Sequence, residues 1–282
     1  MREGHPWRRA SLPWLVASGL AVSLTLACGG TKSERIVVTG SSTVAPLMVE
    51  IGQRFEERTG VRVDVQTGGS SRGISDARQG LADIGMVSRA LTKKEDDLRG
   101  FTLARDGVTL IVHRDNPVPE LTPEQVVEVF TGAATEWSAV GCADPDACGK
   151  ITVVSKAEGR STLEVFLRHF TLISQDIDAS VIIGDNEQGI KTVAGSPGAV
   201  GYVSIGAAEV SVAAGVPIRM LPLGGVEAST ETLRRGEFPL ARELNLVTGG
   251  EPTGRVLELI ELARSSEVHD LVEAMAFVPV DG

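Results

Sequence analysis

Aromatic side chains are scarce in this 282-residue chain, at 4% of the total. Proteins that bind single-stranded nucleic acid draw much of their affinity from bases stacked on such rings, so the composition argues against that function. Basic residues are also in deficit: 27 Lys and Arg stand against 37 Asp and Glu, a formal net charge of −10. Neutralising a phosphate backbone takes many cations, and no nucleic-acid partner is expected. One small anion is a different matter, because a few local dipoles and charges outweigh a distant field. The four His, at 5, 113, 169 and 269, show no ligand spacing to the Cys at 28, 142 and 148, so neither a metal nor a cofactor is expected. What is present is ordinary apolar content, 42%, and abundant glycine, 32 residues. The length suffices for one large domain or two smaller ones.

The only long apolar run lies at the start. Arg2, Arg8 and Arg9 precede a stretch from residue 10 to 27 that Pro13 and Gly19 interrupt. Residues 1–27 read as an export signal. A transmembrane helix is the alternative, but it needs about 20 apolar residues and this run is marginal. Leu26, Ala27 and Cys28 resemble the end of a bacterial lipoprotein box, with Thr25 where Leu is usual. Cys28 is therefore the expected lipidation site, ordinary cleavage nearby being the alternative, and residues 28–34 read as a tether. An exported chain meets an oxidising compartment, so Cys142 and Cys148, flanking the turn-rich ADPDA, are expected to form a structural disulfide.

Beyond the tether, short apolar strands alternate with amphipathic helices. Residues 36–39, 61–65, 82–87, 108–112, 151–154, 199–203 and 245–248 read as strands. Helices are expected from Val44 to a stop at Gly60, near 71–80, over 161–171 and 187–193, and along the tail from 252 to 275. Capping boxes begin at Thr92 and Thr122. The pattern predicts an α/β fold, a mixed, mostly parallel sheet flanked by helices, and the length makes two lobes plausible. Ligands in such folds sit beyond the carboxyl ends of strands.

Three turns at such positions share one chemistry: Gly40 to Thr43, Gly68 to Gly73, and Lys156 to Thr162. The first N–H groups of a helix lack partners and carry partial positive charge. Glycine lets an oxyanion approach the backbone, hydroxyls add neutral donors, and Lys or Arg adds charge-assisted ones. Three such starts aimed at one point would bind a tetrahedral anion. One turn alone is ordinarily a helix cap. None ends in the Gly-Lys-Ser/Thr of a nucleotide P-loop. Residues 69–73 also fit the G-x-S-x-G nucleophile elbow, which would make Ser71 a nucleophile with His269 as its late partner. Too little chain precedes Ser71 for the earlier strands of such a hydrolase.

Six segments in order carry a resemblance: 40–47 (GSSTVAPL), 69–74 (GSSRGI), 82–89 (ADIGMVSR), 130–132 (FTG), 158–163 (EGRSTL) and 198–203 (GAVGYV). They look like the phosphate-binding proteins of bacterial phosphate ABC transporters, in the type II periplasmic-binding-protein superfamily. The resemblance implies a two-lobed fold with a two-segment hinge, lobe one holding 35–113 plus 200–282 and lobe two 114–199. It places Ser42, Thr43, Ser70, Ser71, Ser88, Lys156, Arg160, Ser161 and Thr162 at the anion. Ser88 stands where many members carry an Asp that accepts phosphate's proton, and Lys156 where they carry Arg. A carboxylate acceptor favours phosphate over sulfate, so with Ser88 discrimination falls to another acceptor such as Glu158, or weakens. Arg89 and Arg160 either add positive charge at the site or pair with Asp83 and Glu158.

The resemblance implies a monomeric, exported solute-binding protein, periplasmic or at the cell surface. It would be anchored through its lipid, would not be an enzyme, and would capture inorganic phosphate for delivery to an ABC permease. The alternatives are another tetrahedral oxyanion (sulfate, molybdate or arsenate), a sensor component, or the serine hydrolase. The disulfide is checked by mass spectrometry: alkylation should add mass at Cys142 and Cys148 only after reduction.

Overall fold

A computed structural model describes residues 34–142 and 149–280. The expected signal, Cys28, nearly all of the tether, and Cys148 lie outside the described residues. Cys142 is buried. Among the described residues, no helix is long and apolar enough to cross a membrane.

The chain runs β1 (Arg35–Gly40), α1 (Ala45–Thr59), β2 (Arg62–Thr67), α2 (Ser70–Gln79), β3 (Ile84–Val87), β4 (Arg99–His113), α3 (Pro123–Phe130), β5 (Thr152–Lys156), α4 (Ser161–Phe170) and β6 (Val181–Ile183). It continues through α5 (Asn186–Ala194), β7 (Ala199–Ser204), α6 (Ile205–Ala213), β8 (Ile218–Met220), α7 (Thr230–Arg234), β9 (Ala241–Thr248), α8 (Gly254–Arg264), α9 (His269–Ala274) and β10 (Val278–Pro279). The expected mixed α/β fold is present. The long tail helix is two, α8 and α9, because residues 265–268 form a capped turn between them.

The sheet order is β2-β1-β3-β9-β4-β7-β5-β6, with β8 and β10 on β4. Parallel triplets, β2-β1-β3 and β7-β5-β6, stand at either end, joined through antiparallel β9 and β4. β4 belongs to both ends. Up to Gly107 it pairs with β9, and from Val108 it pairs with β7. The chain returns where Leu240 gives way to Ala241, and Val108 N donates to Leu240 O there at 3.0 Å. Two polypeptide crossings thus lie side by side between two halves.

The cores follow this division. Ile36, Val38, Leu47, Met48, Ile51, Ile84, Leu103, Leu246 and Ile260 pack in the first half. Around β5, Phe130, Trp137, Phe166, Tyr202, Leu221, Leu233 and Phe238 form the second, and Ile111, Ile190, Val203 and Ile218 pack in a further cluster on β7. Helix α1 shows why such elements form: Leu47, Met48, Ile51 and Phe55 recur at helical spacing and are buried, Pro46 opens it, and Gly60 closes it at φ 73°.

In the first half, α2 lies almost on the sheet backbone. A Cβ at Gly73 would sit 2.8 Å from Met86 O, 2.9 Å from Thr39 O and 3.0 Å from Gly40 Cα. These are main-chain atoms that cannot swing away. The approach sets the start of α2 beside the end of β1, which is where the site forms. Replacing Gly73 with Ala should therefore cost about 1–3 kcal/mol of stability, as overpacking does, read as a lower midpoint in urea unfolding with an unchanged slope.

Candidate functional site

Three helix starts and three strand ends converge on one small polar pocket. Its lining is Ser41, Ser42 and Thr43 before α1, Gly69 and Ser70 at α2, and Ser88 after β3. Lys156 ends β5, Arg160, Ser161 and Thr162 open α4, and Gly184 follows β6. Ser70, Ser88, Ser161, Thr43 and Thr162 are buried.

These hydroxyls are not simply caps. Helices α3, α5, α6 and α7 begin with Thr122, Asp185, Ser204 and Ser229, whose side chains accept an N–H of their own first turn. The N-cap residues of α2 and α4, Gly69 and Arg160, supply no such side chain. Ser70 Oγ instead accepts from Ser88 N at 3.2 Å, tying α2 to β3. Ser161 Oγ, although buried, has no hydrogen-bond partner among the described residues. A buried polar atom left unpaired costs free energy, so such groups ordinarily have a partner.

Positive charge collects at the same point. Lys156 Nζ donates to Asn186 Oδ1 at 3.1 Å, and its main-chain N donates to the hydroxyl of Tyr202, the only tyrosine of the chain, at 3.2 Å. Burial, helped by the nearby charges of Arg242 and Arg160 against the opposing pull of Asp185, lowers the Lys156 amine from 10.5 to about 7. Arg160 makes no ion pair among the described residues, so the alternative pairing with Glu158 is not formed.

Arg242, on β9, completes the floor. It faces Asp106 across the β4–β9 ladder, and its Nη2 and Nε donate to Asp106 Oδ2 at 2.7 and 3.0 Å. The pair is almost wholly buried, at 1% and 0% side-chain exposure. Its remaining N–H groups reach both halves: Nη1 donates to Thr162 Oγ1 at 3.0 Å and Ser88 Oγ at 3.5 Å, and Nη2 to Thr43 Oγ1 at 3.3 Å. Asn186 Nδ2 also donates to Thr43 Oγ1, at 3.2 Å.

The structure thus brings together Ser42, Thr43, Ser70, Ser88, Lys156, Arg160, Ser161 and Thr162, and leaves three expected residues off the pocket. Glu158 is exposed and lines a separate recess with Ala157, Ser174 and Ile182. Ser71 Oγ donates to Glu164 Oε1 at 3.4 Å, across the cleft. Arg89 is taken by two carboxylates: Nη1 and Nη2 donate to Glu95 at 2.9 and 2.8 Å, and Nε to Glu164 at 2.5 Å. Burial opposes charge on Glu95, but hydrogen bonds from Arg89 and Thr92 outweigh it and hold the carboxyl at about 2. Asp83, the partner expected for Arg89, instead accepts from Val37 N at 2.8 Å. Sequence reasoning missed Arg242, Asn186, Ser41 and the backbone at Gly69 and Gly184. Ser41 lay within one of the three hydroxyl turns, whereas Arg242 sits in no motif and is marked only by its strand partner.

A family profile described as a PBP superfamily domain matches residues 27–265. The chain is 26% identical to the phosphate-binding protein PstS of Bacillus subtilis over 255 residues, covering 88% of this chain and 81% of that one. It is 26% identical to the PstS of Borreliella burgdorferi over 277 residues, 93% and 96% of the two chains. Among solved structures it resembles a putative phosphate ABC transporter substrate-binding protein from Clostridium perfringens with bound phosphate. There the TM-score is 0.78 at 26% identity, over 88% of this chain and all of that one. An ABC-type phosphate transport receptor from Vibrio cholerae gives 0.72 at 26% identity, over 87% and 100%.

Replacing Arg242 with Met would strand the Asp106 carboxylate in the core. The expected loss is about 3–5 kcal/mol of unfolding free energy. Adding Asp106→Asn to that variant should restore part of it, a non-additivity measured by a double-mutant cycle in denaturant.

Proposed function

The chain belongs to the PBP superfamily domain family, and from that premise we propose that it is a solute-binding protein that captures inorganic phosphate between its halves and hands it to an ABC permease. The observation that carries this reading is the Ser161 hydroxyl, buried and without a partner among the described residues, in a pocket that Lys156, Arg160 and uncapped helix starts also line. Such a place suits a compact anion rich in acceptors. The names of the relatives and of the phosphate-bound neighbour supply the identity of that anion.

Capture works by closure, because a ligand favours the closed form only through contacts that the open form lacks. Ser42, Thr43, Ser70 and Ser88 act from one side, and Lys156, Arg160, Ser161 and Thr162 from the other. We place the lobes at 34–107 with 241–280, and at 108–240. The boundaries expected from sequence, after 113 and after 199, would separate β7, α6 and β8 from the core they share with β5 and α5. Export, lipid attachment at Cys28, the Cys142–Cys148 disulfide and a monomeric state complete the reading. Binding is favoured over hydrolysis because Ser71 Oγ is held by Glu164, a carboxylate already engaged by the Arg89 guanidinium, and not by His269.

Isothermal titration calorimetry tests the reading with phosphate, arsenate and molybdate on one sample. Phosphate should bind and raise the melting temperature. Arg160→Ala should weaken binding by roughly 1.5–3 kcal/mol, the worth of a charged hydrogen bond. Unaltered affinity would remove Arg160 from the site, and a wild-type protein silent to phosphate in both measurements would end the proposal.

A further inference from the structure

A hydroxyl can donate or accept, so what the pocket recognises depends on which way its hydroxyls are turned. Here the direction is imposed by groups that can only donate. The backbone N–H groups of Thr43 and Val44 donate to Ser41 Oγ at 3.2 and 3.4 Å. The Ser41 proton is then left for Ser88 Oγ, 2.9 Å away. Ser88 Oγ also faces Arg242 Nη1, and an arginine has no acceptor. With its lone pairs engaged by Ser41 and Arg242, Ser88 has its own proton left over.

The same logic holds on the other hydroxyls that Arg242 touches. Thr162 Oγ1 accepts from Nη1, and Thr43 Oγ1 accepts from Nη2 and from Asn186 Nδ2. Ser161 adds a hydroxyl with no partner among the described residues, able to donate to an anion. Arg160 donates only, and an anion beside Lys156 favours its ammonium form, which also donates only.

Carboxylates that could accept are turned elsewhere. Asp106 Oδ2 takes Arg242, and its Oδ1 takes Gly206 N at 3.3 Å. Asp185 Oδ1 caps α5 through Gln188 N at 2.8 Å. Glu164 holds Ser71 and Arg89, and Glu158 lines another recess. Among the described residues, no carboxylate lines the pocket.

We infer that Arg242 acts as a positioning residue, holding Thr43, Ser88 and Thr162 with their protons available to the pocket. The site is then a donor-rich shell without a carboxylate, suited to a fully deprotonated tetrahedral dianion, and sulfate competes with phosphate for it. This rests on the oxyanion-binding reading above and adds the protonation state that the lining selects. Hydrogen phosphate keeps one P–OH, for which the lining offers no carboxylate and only hydroxyls such as those of Ser42 and Ser161 as weaker acceptors, whereas sulfate carries no such proton.

Calorimetry with the purified full chain, at a pH where phosphate is mainly the dianion, tests this directly. Sulfate should bind within about tenfold of phosphate or more tightly. Ser88→Asp introduces an acceptor-only carboxylate, and should weaken sulfate at least about tenfold more than phosphate. Arg242→Lys keeps the charge but cannot hold three hydroxyls and Asp106 at once, so it should shift the sulfate-to-phosphate ratio toward phosphate, a change that lost stability alone would not produce. A wild-type preference for phosphate beyond about tenfold overturns the donor shell while leaving anion capture standing. Binding of neither anion overturns both. If circular dichroism shows either variant unfolded, the wild-type ratio by itself upholds or overturns the donor shell.

Discussion

The buried pair of Asp106 and Arg242 is the constraint on which the rest of the structure depends. It sits beside both chain crossings, one residue before Gly107 on β4 and one after Ala241 on β9. Two charges taken out of water cost several kcal/mol each unless paired, which makes any register that separates them unfavourable. A slip of one residue would also turn Arg242 to the opposite face of the sheet. With the register set, the unspent N–H groups of Arg242 fall on Thr43 and Ser88 from the first half and Thr162 from the second. The alignment of the crossings and the placement of the hydroxyls therefore have one source.

That arrangement explains how a chain of net charge −10 builds a cationic pocket. Lys156 and Arg160 line it and Arg242 reaches its hydroxyls, while the one carboxylate bonded to these cations among the described residues, Asp106, balances a single charge. The surplus is visible on Lys156, whose amine burial and the neighbouring guanidinium of Arg242 depress to about 7. A bound anion would reverse the second influence. Global charge governs solubility and long-range encounter, whereas a buried site responds to the groups within a few ångströms.

Much of this was legible in the sequence, and what was legible is local. Gly60 marks the end of α1, and the alternation of Ile36 and Val38 marks β1, because each depends on residues within a turn or two. The three hydroxyl turns were visible for the same reason. The first half of β4, Arg99 to Gly107, was not, since its polar Arg105 and Asp106 break the apolar alternation and only pairing with β9 makes it a strand. The strands β6, β8 and β10 have 3, 3 and 2 residues, too few to show a period. Glu158 stands within a site turn in sequence, but it is exposed and lines a different recess. Arg242 was invisible because its meaning comes from a partner 136 positions away.

The contacts that hold the halves together divide into a rim and a floor, and neither would strand a buried charge if the halves parted. At the rim, Glu164 of α4 receives Arg89 and Ser71, and Ser71 N donates to Gly159 O at 3.2 Å. At the floor, Arg242 reaches Thr162 and Asn186 reaches Thr43. Separating the halves would break all of these, yet neither arginine would be left as a lone buried charge. Arg89 keeps its two-pronged contact with Glu95, and Arg242 keeps Asp106, each in its own half. The heavy penalty for removing one member of a buried ion pair is therefore avoided on opening. What opening would give up is a set of ordinary hydrogen bonds and one half-buried partner of Arg89, Glu164, whose carboxylate would regain water. An equilibrium poised by such small terms is one that a single small anion, touching both halves, has enough differential affinity to shift.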